Sequence, residues 1–170
     1  MKHIIKSALI IFLLASFISD NGRKIPSVDV KTLDGKTVSS STFSNGGKPM
    51  IISFWATWCS PCKNELNAIA EVYDDWKKET GVKLIAISID DSKSSGKVAP
   101  YVNGKGWDYE EYLDLNSDFK RAMNVNMPPH TFIVDGNGNI VWQHIGFKEG
   151  DEAQYIETVR KIVKGEKIEH

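Results

Sequence analysis

The sequence FWATWCSPCKNE, residues 54–65, contains both cysteines of this 170-residue chain and joins two segments of different hydrophobic pattern. It begins inside an apolar run, residues 49–57, whose composition predicts a buried and central strand. Apolar side chains then recur at helical spacing over residues 60–80, with a proline suited to the first turn and a glycine suited to the stop. We therefore expect Cys59 where the strand ends and Cys62 in the first turn of a helix.

Two cysteines in this position have three explanations: a structural disulfide, half of a metal site, or a redox couple. A disulfide across so short a loop adds little stability, and zinc usually takes four ligands, whereas the sequence has no second Cys-x-x-Cys pair. The N–H groups at a helix N-terminus stabilise a thiolate on Cys59, and Cys62 behind it is placed to attack a mixed disulfide. Pro61 restricts the backbone of the turn, and the apolar ring of Trp58 is expected beside the sulfur of Cys59. The pattern favours a redox couple.

The remaining segments alternate between strand and helix patterns. The predicted elements are a hairpin over residues 27–40, strands over 82–90 and 107–114, helices over 92–106 and 116–125, a second hairpin over 130–146, and a closing helix over 151–165. In the closing helix the inward face is predicted to carry Tyr155, Ile156, Val159, Ile162 and Val163. This order predicts one α/β domain with a mixed central sheet flanked by helices and an N-terminal β-hairpin extension.

Composition and charge limit the function classes. The chain has 21 basic and 22 acidic residues and a formal charge of −1 at pH 7. Nucleic-acid binding needs a basic patch for the phosphates, so this balance gives no support for a nucleic-acid partner. The roughly 150 residues that follow the N-terminal segment suit one domain, with a core large enough to be stable without structural disulfides or metal ions.

The first 22 residues have the layout of a secretory signal peptide, because lysines at positions 2 and 6 precede an apolar run over residues 8–18 in which Ser16 is the one polar residue. A helix of that length rises only ~16 Å, which is short of the ~30 Å hydrocarbon layer of a bilayer. We therefore expect residues 1–22 to be a signal peptide, with an uncleaved anchor as the alternative, and residues 23–170 to be the folded domain. The protein is predicted to act in the periplasm or elsewhere outside the cytoplasm.

Three segments resemble the thioredoxin superfamily and, within it, the exported TlpA/ResA-like thiol-disulfide oxidoreductases: FWATWCSPCKNE, YLDLNSDFKRAMNV and MPPHTFIVDGNGNIV. The resemblance runs over residues 26–163 and implies a thioredoxin-like fold. It also implies disulfide exchange with exported proteins, such as those of cytochrome c maturation, and a membrane thiol-disulfide electron donor. Relatives hold a cis proline facing the cysteines, where this chain has Pro129 after Pro128. Backbone groups there can pair with a substrate chain like an added strand.

Two positions depart from the pattern of relatives. Cytoplasmic thioredoxins carry a buried aspartate where this chain has Ser53, so the resemblance assigns proton handling to Glu65, where TlpA/ResA-like proteins place a glutamate. His130 follows the cis proline, where many relatives have threonine. The predicted catalytic residues are Cys59, Cys62 and Glu65, and the predicted substrate-binding residues are Trp58, Ser60, Pro61, Pro128, Pro129 and His130.

Two other functions remain as alternatives. A thiol peroxidase of the peroxiredoxin type needs a threonine or serine and an arginine around its cysteine, and Thr57 has no arginine adjacent in sequence. A Cu(I)-binding metallochaperone would use Cys59, Cys62 and His130, since two soft sulfurs and an imidazole suit Cu(I). For the favoured oxidoreductase we expect no cofactor, no metal and a monomer.

Overall fold

The computed structural model describes residues 22–168, and these residues form one sheet and four α-helices. In chain order the elements are β1 Asp29–Thr32, β2 Thr37–Ser39, β3 Met50–Trp55, α1 Ser60–Thr80, β4 Lys83–Ser88, α2 Val98–Lys105, β5 Glu110–Leu113, α3 Asp118–Ala122, β6 His130–Val134, β7 Ile140–Ile145 and α4 Glu152–Val163. Every element that the sequence predicted is present, in the predicted order.

The strand with the apolar run lies inside a seven-stranded sheet of order β2-β1-β5-β4-β3-β6-β7. β3 pairs parallel with β4 and antiparallel with β6, and all of its residues are buried. The N-terminal hairpin β1-β2 joins the same sheet, because β1 pairs antiparallel with β5. The predicted mixed sheet with an N-terminal hairpin extension is confirmed.

Alternation of side chains along β3 divides the core into two faces. Phe54 packs against Phe119 of α3 on one face, with ring centroids 5.3 Å apart. Ser53 projects from the other face and hydrogen-bonds to Glu65 of α1. Tyr155 of α4 reaches the same carboxyl, so α1 and α4 cover this second face together. We call it the α1 face.

The closing helix departs from prediction at its last residue. Tyr155, Ile156 and Val159 are buried, as the helical spacing predicts. The prediction of an inward Val163 is wrong, because that side chain is 53% exposed. Val163 ends α4, and residues 164–167 are exposed as well, so the described part of the chain leaves this end of the helix uncovered.

The predicted signal peptide or anchor falls outside the described residues, apart from residue 22. Within residues 22–168, no helix combines the length and the apolar composition that crossing a bilayer requires. The exported location, the choice between signal and anchor, and a domain boundary at residue 23 therefore stay predictions.

Candidate active site

Cys59 and Cys62 form a disulfide where the chain passes from β3 into α1. Cys59 is the N-cap residue of the helix, and its Sγ accepts a hydrogen bond from the backbone N–H of Cys62 at 3.3 Å. After reduction the sulfur of Cys59 therefore lies at the positive end of a 21-residue helix, which favours a thiolate. The predicted strand-to-helix junction is confirmed.

The two cysteines differ in access to solvent. Cys59 retains 6% exposure, whereas Cys62 retains none. Trp58, directly before Cys59, is 61% exposed, and Ser60 and Pro61 are exposed as well. A sulfur of another protein can therefore approach Cys59 while Cys62 stays covered.

Asp90, which the sequence analysis missed, fixes the loop that leads to the disulfide. Its Oδ2 accepts from the backbone N–H of Thr57 at 2.8 Å, and its Oδ1 accepts from the Thr57 hydroxyl at 2.6 Å. Asp90 follows β4, the parallel neighbour of β3, so both strands deliver their next residues to the same edge of the sheet. An acidic residue placed just after a buried parallel strand is the signal that could have identified it.

Glu65 lies one helical turn after Cys62 and is fully buried on the α1 face. The Ser53 hydroxyl donates to its Oε2 at 2.7 Å. The hydroxyls of Thr131 and Tyr155 donate to its Oε1 at 2.8 and 2.7 Å. Glu65 was predicted from the resemblance to TlpA/ResA-like proteins, whereas its partners Thr131 of β6 and Tyr155 of α4 were not predicted as site residues.

Burial raises the pKa of the Glu65 carboxyl above its ordinary value, because the charged form loses its contact with water. The three hydroxyl donors act in the opposite direction, since each stabilises the carboxylate. A carboxyl with these opposing influences can accept a proton from a neighbouring thiol and return it.

The Pro128–Pro129 peptide bond is cis, as predicted. Pro129 is buried, and its carbonyl accepts from the backbone N–H of Gly146 at 2.9 Å. Because β6 runs antiparallel to β3, the start of β6 lies beside the end of β3. The proline turn and the disulfide therefore share one edge of the sheet, with Met127 64% exposed before the turn.

The side chain of His130 lies away from the α1 face. His130 pairs with Phe54 across β6 and β3, and residues directly opposite each other project from the same face. Its ring stacks on Phe132 with centroids 4.2 Å apart and is 3% exposed. Burial lowers the pKa of the imidazole, which favours the neutral ring. This placement argues against contact between the imidazole and a substrate and leaves only the backbone of His130 near the predicted binding site.

The copper alternative gains no support from this arrangement. Among residues 22–168, no group of three or more His, Cys, Asp or Glu side chains is arranged to hold a metal ion. Cys59, Cys62 and His130 therefore do not form the ligand set that this alternative needs.

The peroxidase alternative also lacks the hydroxyl and arginine pair that it needs around its cysteine. The hydroxyl of Thr57 donates to Asp90. The chain has three arginines. Arg121 and Arg160 are held in ion pairs, and Arg23 lies over the ring of Phe132 at 5.6 Å, so none is placed as the partner of Thr57.

A second buried carboxyl, Glu111 of β5, was missed by the sequence analysis. Glu111 is 8% exposed, and its Oε2 accepts from the indole Nε1–H of Trp55 at 3.3 Å. Its Oε1 has no partner among the described residues. Burial raises its pKa to about 8. Adjacent residues of a strand point to opposite faces, so the pair Glu110-Glu111 in a predicted strand was the available signal that one of the two carboxyls faces inward.

Comparison with known proteins gives a family and a fold. Residues 21–143 match the AhpC/TSA family. The thiol-disulfide oxidoreductase ResA of Bacillus thuringiensis (strain Al Hakam) is 30% identical over 139 residues, which are 81% of this chain and 78% of that protein. The solution structure of an uncharacterized thioredoxin-like protein from Porphyromonas gingivalis is 55% identical with a TM-score of 0.75, over 86% of this chain and 95% of that one.

A more distant structure agrees on the fold. The crystal structure of a putative thiol:disulfide interchange protein DsbE from Chlorobium tepidum has a TM-score of 0.72 at 23% identity, over 85% of this chain and 98% of that one. At this identity the likeness supports the fold alone. The predicted thioredoxin-like fold is confirmed by both solved structures.

Proposed function

This chain belongs to the AhpC/TSA family and is a thiol-disulfide oxidoreductase, and we propose that it reduces disulfides in exported proteins. The observation that carries the proposal is the Cys59–Cys62 disulfide at the start of α1, in which Cys59 is 6% exposed and Cys62 is fully buried. A bridge across so short a loop contributes little to stability, whereas a thiolate at a helix N-terminus exchanges readily.

The reaction begins with the reduced pair. The thiolate of Cys59 attacks one sulfur of a client disulfide, the client's other sulfur leaves as a thiolate and takes a proton from water, and a mixed disulfide with Cys59 forms. Cys59 is assigned this step because it is the more accessible cysteine and its sulfur lies at the N-terminus of α1.

The second step releases the client. The thiol of Cys62 gives its proton to the ionised carboxyl of Glu65, and the resulting thiolate attacks the sulfur of Cys59. The client sulfur leaves with the bonding electron pair and takes a proton from water, the Cys59–Cys62 disulfide is formed, and Glu65 then releases its proton to water. Glu65 suits this role because it lies one turn after Cys62 and three hydroxyls stabilise its charged form.

Exposed apolar side chains suggest where a client chain rests. Trp58, Met127 and Ile145 are 61%, 64% and 58% exposed. Ile145 pairs with His130, directly after the cis bond, and Met127 directly precedes Pro128. These observations support a contact surface for the residues that flank a client disulfide. We expect Trp58→Ala to raise the KM for such clients several-fold while the reduction potential stays the same.

The cellular setting follows from the N-terminal sequence. A signal peptide or anchor over residues 1–22 would deliver the domain to the periplasm or another extracytoplasmic space. A membrane thiol-disulfide donor would then supply the two electrons and two protons that regenerate the dithiol. Clients in cytochrome c maturation fit this setting, and the protein is proposed to act as a monomer. Fractionation of cells tests the location, and recovery of the intact chain from the cytoplasm would contradict it.

Trapping of the intermediate tests the proposed function. Cys62→Ser, reduced and mixed with a disulfide-bonded test protein, is expected to accumulate the mixed disulfide, because the resolving thiol is gone. Cys59→Ser is the matched control and should trap nothing. The reverse pattern would exchange the roles of the two cysteines, and trapping by neither variant would overturn the exchange mechanism.

The reduction potential tests the direction of the reaction. A reductase must have a potential more negative than that of its clients, since electrons flow towards the more positive couple. Equilibration of the protein with glutathione of known ratio measures this quantity. A potential well above those of client disulfides would assign the protein to disulfide formation.

A further inference from the structure

Glu65 is sealed from solvent. Cys62, Ser53, Thr131 and Tyr155 surround it, and each of them, like Glu65 itself, is 0% exposed. A carboxylate in such a place keeps its charge only if the surroundings favour the ionised form. The hydroxyls of Ser53, Thr131 and Tyr155 stabilise the carboxylate through their partial charges, but none of them carries a full positive charge.

A histidine lies at the edge of the same face. His144 of β7 pairs directly with Thr131 of β6, and residues in such a pair project from the same side of the sheet. Its ring lies 6.0 Å from the ring of Tyr155, centroid to centroid, and stacks almost parallel to Trp142 at 5.7 Å. The side chain is 27% exposed, so the imidazole reaches water and can exchange protons with it.

An aspartate holds this imidazole. The Nε2 of His144 lies 3.1 Å from Oδ2 of Asp151, which also accepts from the backbone N–H of Lys148 at 2.8 Å. Asp151 is the residue just before α4, and its side chain is 19% exposed. A carboxylate at this distance fixes the orientation of the ring.

The ionisable groups around His144 come from three elements. Asp151 and Tyr155 belong to the start and first turn of α4, Glu65 belongs to α1, and His130 belongs to β6. A positive charge on His144 lowers the pKa of Glu65 and lowers that of His130, because it favours a nearby negative charge and opposes a second positive one. A protonated His144 would therefore supply the positive charge that the buried hydroxyls do not carry.

We propose that His144, oriented by Asp151, is a positioning residue that keeps Glu65 in its ionised, proton-accepting form. This inference rests on the proposed function, since it matters only if Cys62 gives its proton to Glu65. His144 does not touch the reacting sulfurs and acts through Glu65. The reaction is thereby linked to solvent pH at the edge of the sheet, where the imidazole of His144 reaches water.

Titration of the Glu65 carboxyl by carbon NMR tests the inference. His144→Gln keeps a polar side chain and removes the charge, so the midpoint for Glu65 is expected to move up by roughly 0.5 pH unit. His130→Gln is the matched control, because that imidazole is neutral, buried and on the other face, and it should leave the midpoint unchanged. An unchanged midpoint in His144→Gln, or an equal shift in both variants, would overturn the inference.

The pH profile of mixed-disulfide resolution provides the second readout. In His144→Gln the rise of the rate is expected to move to higher pH by the same amount, with the same rate at the alkaline plateau. If Glu65→Gln slows resolution but His144→Gln follows the parent profile, the role of His144 fails and the proposed function stands. If Glu65→Gln resolves at the parent rate, the role of Glu65 fails first.

Discussion

Glu65 and Glu111 are two carboxyls buried on the same face of one sheet, and they differ in their partners. Ala86 of β4 pairs with Ser53 on one side and with Glu111 on the other, so Glu111 lies two strands from the serine that binds Glu65. Glu65 accepts hydrogen bonds from three hydroxyls. Glu111 accepts one, from Trp55, and within residues 22–168 its other oxygen has no partner.

The two carboxyls differ in how far hydrogen-bond donors offset the free-energy cost of burying the charged form. Burial raises the pKa of both groups, but only around Glu65 do several donors stabilise the charge. Glu111, with its pKa raised to about 8, is protonated at neutral pH and cannot accept a proton there. The hydroxyl donors, and not burial alone, therefore distinguish Glu65, the proposed general base, from Glu111.

The largest expected effect is on catalysis. Glu65→Gln should slow resolution of the mixed disulfide on the order of 10²-fold at pH 7, because Cys62 loses its proton acceptor. Glu111→Gln is the matched control, and its rate should stay within about twofold of the parent if a protonated carboxyl has no part in proton transfer. Stopped-flow measurement of client release gives both rates. Equal slowing in the two variants would remove the distinction between the carboxyls.

The second effect is on stability. The folded-state pKa of Glu111, about 8, lies above its unfolded value, so its contribution to the free energy of unfolding is present below pH ~4.3 and falls as the pH rises towards 8. Glu111→Gln copies the protonated form and should raise the free energy of unfolding at pH 7 by about 3 kcal/mol. Urea unfolding at pH 5, 7 and 8 measures the change.

The neighbouring glutamate provides the control for that measurement. Glu110 points to the other side of β5, is 43% exposed and pairs with Lys83 at 2.8 Å. Glu110→Gln should change the free energy of unfolding by less than about 1 kcal/mol at every pH. If Glu111→Gln also has so small an effect, Glu111 is charged in the folded protein without penalty, and the contrast with Glu65 fails.

The smallest effect concerns a single hydroxyl. Tyr155→Phe removes one donor to Glu65 and should move the rise of the exchange rate to higher pH by about one unit, since the carboxylate loses one stabilising bond. Tyr73→Phe is the control: its hydroxyl accepts from the backbone N–H of Leu84, so its loss should cost stability without moving the profile. If the pH profile of the exchange rate moves equally in both variants, the shift comes from a general loss of stability and not from the hydrogen bond to Glu65.

Local pattern in the sequence predicted the elements and the position of the disulfide. Apolar periodicity and turn residues predicted the order of strands and helices, and the spacing of Cys59, Cys62 and Glu65 placed them on successive turns at the start of α1. These features depend on residues close together in the chain, so one sequence suffices to read them.

Features that depend on strand register could not be predicted. His130 points away from the α1 face because it pairs with Phe54, and Thr131 points into it because it pairs with Ser53. The local sequence does not show which of the two residues faces α1, because a register shift of β6 by one residue would exchange the two faces. The same reason hid the partnership of His144 with the Glu65 cluster, which joins residues from β6, β7, α1 and α4.

Infrared difference spectroscopy of the carboxylic C=O band tests the central claim, that Glu65 takes the proton of Cys62. When resolution of a preformed mixed disulfide is started, a protonated-carboxyl band is expected to appear transiently in the parent protein and in Glu111→Gln, and to be absent in Glu65→Gln. A transient band that persists in Glu65→Gln, or that is lost in Glu111→Gln instead, would contradict the assignment.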